Sequence, residues 1–384
     1  MSLLSTVLPY VADQLTQFAS GDMWLACTAL LFRDSSGGAY TGRTMELSME
    51  LPYVVASIPK GHTFTSVVEG HVPLTFQSKY NVFGIAVPAG SIADLKIVEG
   101  MNDQGLSFSL LAYAGASGPA DNAAKTKAML AVIDLGAWVL AQFANAAEVK
   151  AALAENIAIL TTLVPLHGAK TPFHFIVHDR SGKSIVIEYS HEKQNVYDNP
   201  VGVMTNGPEF PWHLTNLANY TFLNNMDQST GKFGDLEVTQ PDSGIATAGL
   251  PASNTSVGRF VRAAYYATFA EKPAPEKAIR ALGHVMNNFD RPRGITIDPP
   301  QSGGLDIEGF SATEGQAYKT EYTSWTALGD LGKNEFYVRT YDAINFIRFD
   351  LNRLFAQSAL KIAPLAKISQ LETLDATDAL LQAS

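Results

Sequence analysis

Apolar and polar positions along the chain set out a series of short extended runs separated by turn chemistry. Cys27 to Phe32 reads CTALLF, and Asp34-Ser35-Ser36-Gly37-Gly38 supplies a turn before a second extended segment, AYTGRTMEL. Two such runs around a glycine-rich connection predict a β-hairpin. Asn102-Asp103-Gln104-Gly105 is a second turn, leading into LSFSLLAY. The clearest hairpin is HFIVH, then Asp179-Arg180-Ser181-Gly182-Lys183, then SIVIEYS, with NVYDN and VGVMTN as following strands.

Helical patterning occupies the middle. Ala123 to Phe143 combines a continuous apolar face with good helix formers, and Ala146 to Glu155 continues as a second helix after Asn145. Further helices are expected at Pro211 to Leu223, Ser256 to Phe269 and Pro275 to Phe289. YTSWTAL, NEFYVRTYD and INFIRFDL read as the last extended segments, and Leu360 to Ser384 as a terminal helix. Strands, then helices, then strands predict an α+β layered fold with antiparallel sheets.

The 384 residues are 46% apolar and 17% charged, which allows a large core without disulfides or metal clusters. A formal charge of -10, with Lys and Arg scattered, argues against nucleic acid or an anionic membrane as the main partner, since both need a positive stripe. No Pro/Gly/Ser linker divides the chain, and no apolar run reaches the length of a membrane span. One domain is expected over residues 27–351, with 352–384 as a helical tail.

Residues 1–26 lack the basic opening of a secretory signal and carry Asp13 and Asp22 where an apolar segment belongs. They read as a propeptide whose removal exposes Cys27. Ala26 is a small residue at the junction, which a signal peptidase would also accept. The prefix therefore favours a cytoplasmic protein and leaves periplasmic or secreted forms open.

Several chemistries are set aside. His174 and His178 have i, i+4 spacing, but their segment reads as a strand and no HExxH is present, so both are read as structural. Neither Ser36 nor Ser181 sits in a Gly-x-Ser-x-Gly elbow, and Gly303-Gly304 reads as loop. Cys27 is the one cysteine in the chain. Taken alone, it is a buried small hydrophobe. Cleavage at Ala26-Cys27 would instead give one residue both a thiol and an α-amine of pKa near 8, a general base suited to neutral pH. Such a site needs a cation beside the thiolate, a carboxylate to orient the amine, and donors for an oxyanion.

The runs CTALLF…GRTMEL, MNDQGL, GVMTNGPEFPWHL and GLPASNTSVGRFVRAAY, in this order and spacing, resemble the choloylglycine hydrolase and penicillin V acylase family from Cys27 to about Leu351. The resemblance implies a four-layer αββα sandwich of the N-terminal nucleophile hydrolases, acting on linear amides without a cofactor. It implies Cys27 as nucleophile, Arg43 as the arginine beside the thiol, Glu46 where the family has Asp to orient the amine, Asn206 as an oxyanion donor, and Arg259 as a second active-site arginine. Ala112 stands where the bile-salt branch has Asn, so a side-chain contact is absent while the backbone N–H of Ala112 keeps its oxyanion role. Alone, Arg43, Glu46 and Arg259 read as ion-pair or surface residues and Asn206 as a turn residue. Asn102, Trp212 and His213 are read as turn or packing residues.

The substrate implied is a small-molecule amide with an apolar acyl group, of penicillin V type ahead of the bile-salt and acyl homoserine lactone types because of Ala112. The long segment from Tyr220 to Gly249 implies a homotetramer, or else a dimer. Rival readings are a non-catalytic acyl-binding protein that keeps its prefix, and an acyltransferase that passes the acyl group to an amine.

Overall fold

The first expected hairpin forms as read, because Asp34 ties its turn. The Asp34 carboxylate accepts the N–H groups of Ser36 and Gly38, each at 2.8 Å, and the Tyr40 hydroxyl at 2.8 Å. Gly37, at φ 84°, takes the left-handed conformation that closes the loop. The computed structural model describes residues 25–48, 50–89, 94–163, 169–297, 320–370 and 375–383. Of the expected propeptide, only Leu25 and Ala26 fall among them.

Among the described residues, fourteen strands build two large sheets. In chain order they are β1 (Leu25–Arg33), β2 (Ala39–Leu47), β3 (Val54–Ile58), β4 (Val82–Pro88), β5 (Leu95–Asn102), β6 (Ser107–Ala112), β7 (Phe173–His178), β8 (Ser184–Ser190), β9 (Lys193–Asp198), β10 (Val203–Met204), β11 (Tyr322–Asp330), β12 (Glu335–Thr340), β13 (Ile347–Asp350) and β14 (Lys361–Pro364). The six-stranded sheet runs β10-β1-β2-β11-β12-β13 and the eight-stranded sheet β9-β8-β7-β6-β5-β4-β3-β14. Neighbours pair antiparallel throughout.

Helices cover the outer faces. They are α1 (Leu135–Gln142), α2 (Ala146–Glu155), α3 (Phe210–Asn216), α4 (Ser256–Phe269) and α5 (Ala278–Asn287). Helix α1 lies on β5 and β6, whereas α4 lies on β1 and β10 and α5 on β2 and β11. Glycines set the approach of these layers: a Cβ at Gly136 would stand 2.6 Å from the Ile97 carbonyl, and one at Gly42 2.6 Å from Met286 Sδ. The result is the αββα sandwich. Strands such as β2, β6, β7 and β8 are buried at every position, because one face meets the other sheet and the other meets helices.

Helix boundaries depart most from the sequence reading in two places, while the helix expected at Pro211–Leu223 ends at Asn216 in a 3₁₀ turn and that expected at Pro275–Phe289 is α-helical over Ala278–Asn287. The helix expected from Ala123 begins only at Leu135, after a single 3₁₀ turn at Val132–Asp134. Upstream, Met129 bridges Pro73, Ala131 bridges Ile159, and Ser66 Oγ accepts the Ala131 N–H at 2.9 Å. Bonds to other segments replace the intrahelical ones. The tail departs as well: Lys361–Pro364 joins the eight-stranded sheet against β3, and only the short helices Leu365–Ile368 and Thr377–Leu381 follow among the described residues. Pro364 is tolerated there because β14 is an edge strand. The expected helices at Ala146 and Ser256 match, capped by Asn145 and Thr255.

Asn102 ties the second hairpin to the helical layer. Fully buried, it accepts the N–H groups of Gln104 and Leu106 at 3.0 and 3.1 Å and donates to the carbonyls of Leu140 and Phe143 at 2.9 and 2.7 Å. Replacing it strands several buried partners, each worth about 1–3 kcal/mol. Asn102→Ala should lower stability by about 3 kcal/mol in urea unfolding with an unchanged denaturant slope. A loss under about 0.5 kcal/mol would show that this side chain does not hold the turn to the helix.

Candidate active site

Cys27 stands in β1 opposite Met45 of β2, with its side chain between the two sheets. It is 1% exposed. Arg43, two residues before Met45 and so on the same face of β2, donates from Nη2 to Cys27 Sγ at 3.3 Å. The same nitrogen donates to the Leu110 carbonyl, and Nη1 to the Val98 carbonyl at 3.4 Å, both on the opposing sheet. Its guanidinium carbon lies 4.8 Å from the Trp325 ring centroid, a cation–π contact inside the core.

Burial raises the Cys27 thiol above its ordinary value and Glu46 adds to the rise, whereas Arg43 and a backbone hydrogen bond from Ala112 oppose it. Ala112 ends β6 on the opposing sheet. Its carbonyl accepts from Asn206 Nδ2 at 2.8 Å.

Asn206 joins both sides of the site. Its Oδ1 accepts the Cys27 N–H at 3.0 Å and Arg259 Nη2 at 2.7 Å. These donors on one side and the Ala112 carbonyl on the other fix which way the amide points. The backbone around it is held as closely: Ser256 Oγ accepts the Asn206 N–H at 2.9 Å, His213 Nε2 donates to the Asn206 carbonyl at 2.9 Å, and His174 Nε2 donates to the Thr205 carbonyl at 3.0 Å. His213, stacked 4.4 Å from Phe260 by ring centroids, is driven down to about 4 by burial and so stays neutral. Its reading as a packing residue gains a second part, support of Asn206. Trp212 is exposed.

Arg259 reaches the same point from α4. Besides Asn206, it donates to the Cys27 carbonyl and to Thr28 Oγ1 at 3.0 Å, and from Nε to the Asn254 carbonyl at 2.9 Å. Burial brings it down to about 10, and Glu46 opposes that fall. Glu46, wholly buried and opposite Ala26 in the strand register, accepts from Thr323 Oγ1 at 3.2 Å. Burial raises its pKa, and Arg291, Arg259 and Arg43 draw it back. Arg291 in turn pairs with Glu321 at 2.5 Å.

All six positions taken from the sequence meet within one cluster, supplied by four strands or their ends and one helix. Glu46 sits on the helix-facing side with Arg259, while the Cys27 N–H donates to Asn206 Oδ1. The sequence reading did not reach Glu99, Trp325 or Arg291. A carboxylate beside the apolar pair Ile97-Val98 was the available signal for Glu99. Nothing local marks the other two, since their partners are far away along the chain.

Residues 27–359 match the linear amide C–N hydrolases of the choloylglycine hydrolase family. A bile salt hydrolase/transferase of Clostridium perfringens is 29% identical over 330 residues, covering 85% of this chain and 93% of that one. A conjugated bile acid hydrolase of Lactobacillus acidophilus is 30% identical over 336 residues, covering 85% and 96%. A penicillin V acylase of Pectobacterium atrosepticum is 28% identical over 246 residues, covering 63% and 60%. A crystal structure of a conjugated bile acid hydrolase variant from Clostridium perfringens superposes with a TM-score of 0.73 at 27% identity, over 88% of this chain and 97% of that one. The fold also matches penicillin V acylase from Agrobacterium tumefaciens, with a TM-score of 0.71 at 22% identity over 92% and 96% of the two chains. With its αββα sandwich and a buried cysteine set among an arginine, an asparagine amide and a backbone N–H, the chain belongs to the choloylglycine hydrolase family of linear amide C–N hydrolases.

Proposed function

We propose that Cys27 is the nucleophile once residues 1–26 are removed, and that it cleaves linear amides with an apolar acyl group through an acyl-thioester. The observation that carries this reading is the convergence of Arg43 on the Cys27 sulfur and of Asn206 on its nitrogen. While Ala26 is attached, the Cys27 nitrogen is a peptide amide without basicity, and it only donates to Asn206. Freed, it becomes an amine able to take the thiol proton and later protonate the leaving amine. Arg43 stabilises the thiolate, and Arg259 and Asn206 hold the nitrogen and carbonyl of Cys27. Glu46, beside Ala26, holds the charge balance of the freed amine. The thioester carbonyl would direct its developing oxyanion to the Ala112 N–H and to Asn206 Nδ2, released from the Ala112 carbonyl.

Penicillin V and glycine- or taurine-conjugated bile acids are the two substrate types for assay, with Ala112 favouring the first and the longer matches among bile salt hydrolases the second. The name hydrolase/transferase borne by several relatives favours a second reading, in which the thioester passes its acyl group to an amine. Adding free glycine or taurine to the assay separates the two, because transfer yields a new amide.

We also propose that the hairpin Thr230–Phe233 and Leu236–Thr239 joins copies of the chain into a tetramer or dimer. Phe233, Leu236 and Val238 are exposed on it. Replacing Phe233 and Leu236 by Ser should reduce the mass found by sedimentation equilibrium to that of one chain. An unchanged assembly would discard the hairpin as its cause.

Mature protein starting at Cys27, by intact mass, should hydrolyse a penicillin V or bile-acid amide, whereas protein verified to keep Ala26 should be inert. Cys27→Ser in the mature form should lose at least about 100-fold in kcat while keeping its melting temperature. Equal activity with and without the prefix would sink the mechanism, and an inert mature form would favour a binding protein. Asn206→Ala should lower kcat by roughly 10²–10³ with KM nearly unchanged, as expected of a donor acting in the transition state. A change confined to KM would place Asn206 in substrate binding instead.

A further inference from the structure

On the far side of Arg43 from the cysteine, the eight-stranded sheet presents a second acid. Glu99 of β5 is 3% exposed, and its Oε2 lies 3.6 Å from Arg43 Nε, whose N–H has no closer acceptor among the described residues. Arg43 thus stands between a carboxylate at one edge and the Cys27 thiol, 3.3 Å from Nη2, at the other. Resting on the reading of Cys27 as nucleophile, we propose that Glu99 is a positioning residue that sets how much of the Arg43 charge reaches the thiol, because the two acids share one buried guanidinium and ionise in competition.

The surroundings leave little else to balance either charge. Among the described residues, Glu99 is influenced by Arg43 from the opposing sheet and by Ser109, its register partner on β6, whose hydroxyl favours the ionised form. Cys27 faces Arg43 and, on the helix side, Glu46. Tyr53, buried against Trp325, feels both Arg43 and Cys27, and burial holds its phenol neutral. One cation therefore serves two acids in a region of low dielectric, where two anions side by side are costly. Ionisation of either acid therefore makes ionisation of the other more costly.

Burial raises Glu99 to about 7 despite Arg43, so its charge changes in the neutral range. The sign follows. Below that value Glu99 is neutral and leaves Arg43 to the sulfur, and above it Glu99 is anionic and opposes thiolate formation, so the charge on Glu99 holds the thiol pKa up.

The test uses iodoacetamide, because Cys27 is the one cysteine in the chain and its alkylation can be counted by intact mass without any activity assay. The pH dependence of the alkylation rate is compared for wild type, Glu99→Gln and Ser109→Ala, each purified with the same first residue by mass. Glu99→Gln keeps the shape and removes the charge, so the apparent thiol pKa should fall by about one unit. Ser109→Ala withdraws support from ionised Glu99 and should move the profile the same way by less. If Glu99→Gln does not fold, the Ser109→Ala shift alone decides. Profiles that coincide with wild type, with or without a lower melting temperature, would reduce Glu99 to packing and overturn the inference. Loss of the N-terminal nucleophile reading would show separately, as hydrolysis that survives complete alkylation.

Discussion

A guanidinium buried between two sheets is the constraint from which the rest of the site follows. Arg43 has only 1% of its surface exposed, and no cation of that kind persists in a core unless acceptors surround it. They come from both sheets: the carbonyls of Val98 and Leu110, the Glu99 carboxylate, the Trp325 face and the sulfur of Cys27. The sandwich must hold its sheets at the spacing that lets one side chain span them. Apolar packing alone would tolerate small slides of one sheet over the other, whereas this set of acceptors would not.

The outer layer carries a matching constraint. Arg259 enters from α4 on the helix-facing side of β1 and binds the Cys27 carbonyl, Thr28 and Asn206. Cys27 is thereby gripped through its sulfur from one face of the sheet and through its backbone from the other. Asn206 passes between the two, with Cys27 N–H and Arg259 on Oδ1 and Ala112 on Nδ2. Its own backbone is fixed by Ser256, His213 and the neighbouring bond from His174. A side-chain amide held in this way has little freedom to lose, and both of its ends are engaged while Ala26 remains attached.

This arrangement also ties the chemistry of the cysteine to the state of its nitrogen. Burial works against the thiolate, and only Arg43 and the Ala112 N–H work for it. With Ala26 in place β1 continues past the cysteine, and Ala26 lies across from Glu46 in the strand pairing. On the proposed reading, removal of the prefix leaves an ammonium beside a carboxylate already flanked by Arg259 and Arg291, so the balance among these charges governs both the thiol and the amine.

The chain itself determined much of the secondary structure and the identity of the central residues. Apolar runs around Asp34-Ser35-Ser36-Gly37-Gly38 and around Asp179 to Lys183 gave hairpins because turn chemistry is local, and the capped starts at Asn145 and Thr255 are local for the same reason. Cys27, Arg43, Glu46, Ala112, Asn206 and Arg259 could be picked out by motif order. Local pattern failed where distant partners outbid it, as in the stretch before Leu135, where Pro73, Ile159 and Ser66 take the bonds a helix would use, and in the tail, where β3 offers an edge to residues 361–364. Only the tertiary structure placed Arg43 between Cys27 and Glu99, and only it turned the Asn206 amide toward the Cys27 nitrogen. Those relations join residues 16 to 179 positions apart along the chain, across two sheets and a helix, and periodicity carries no information about them.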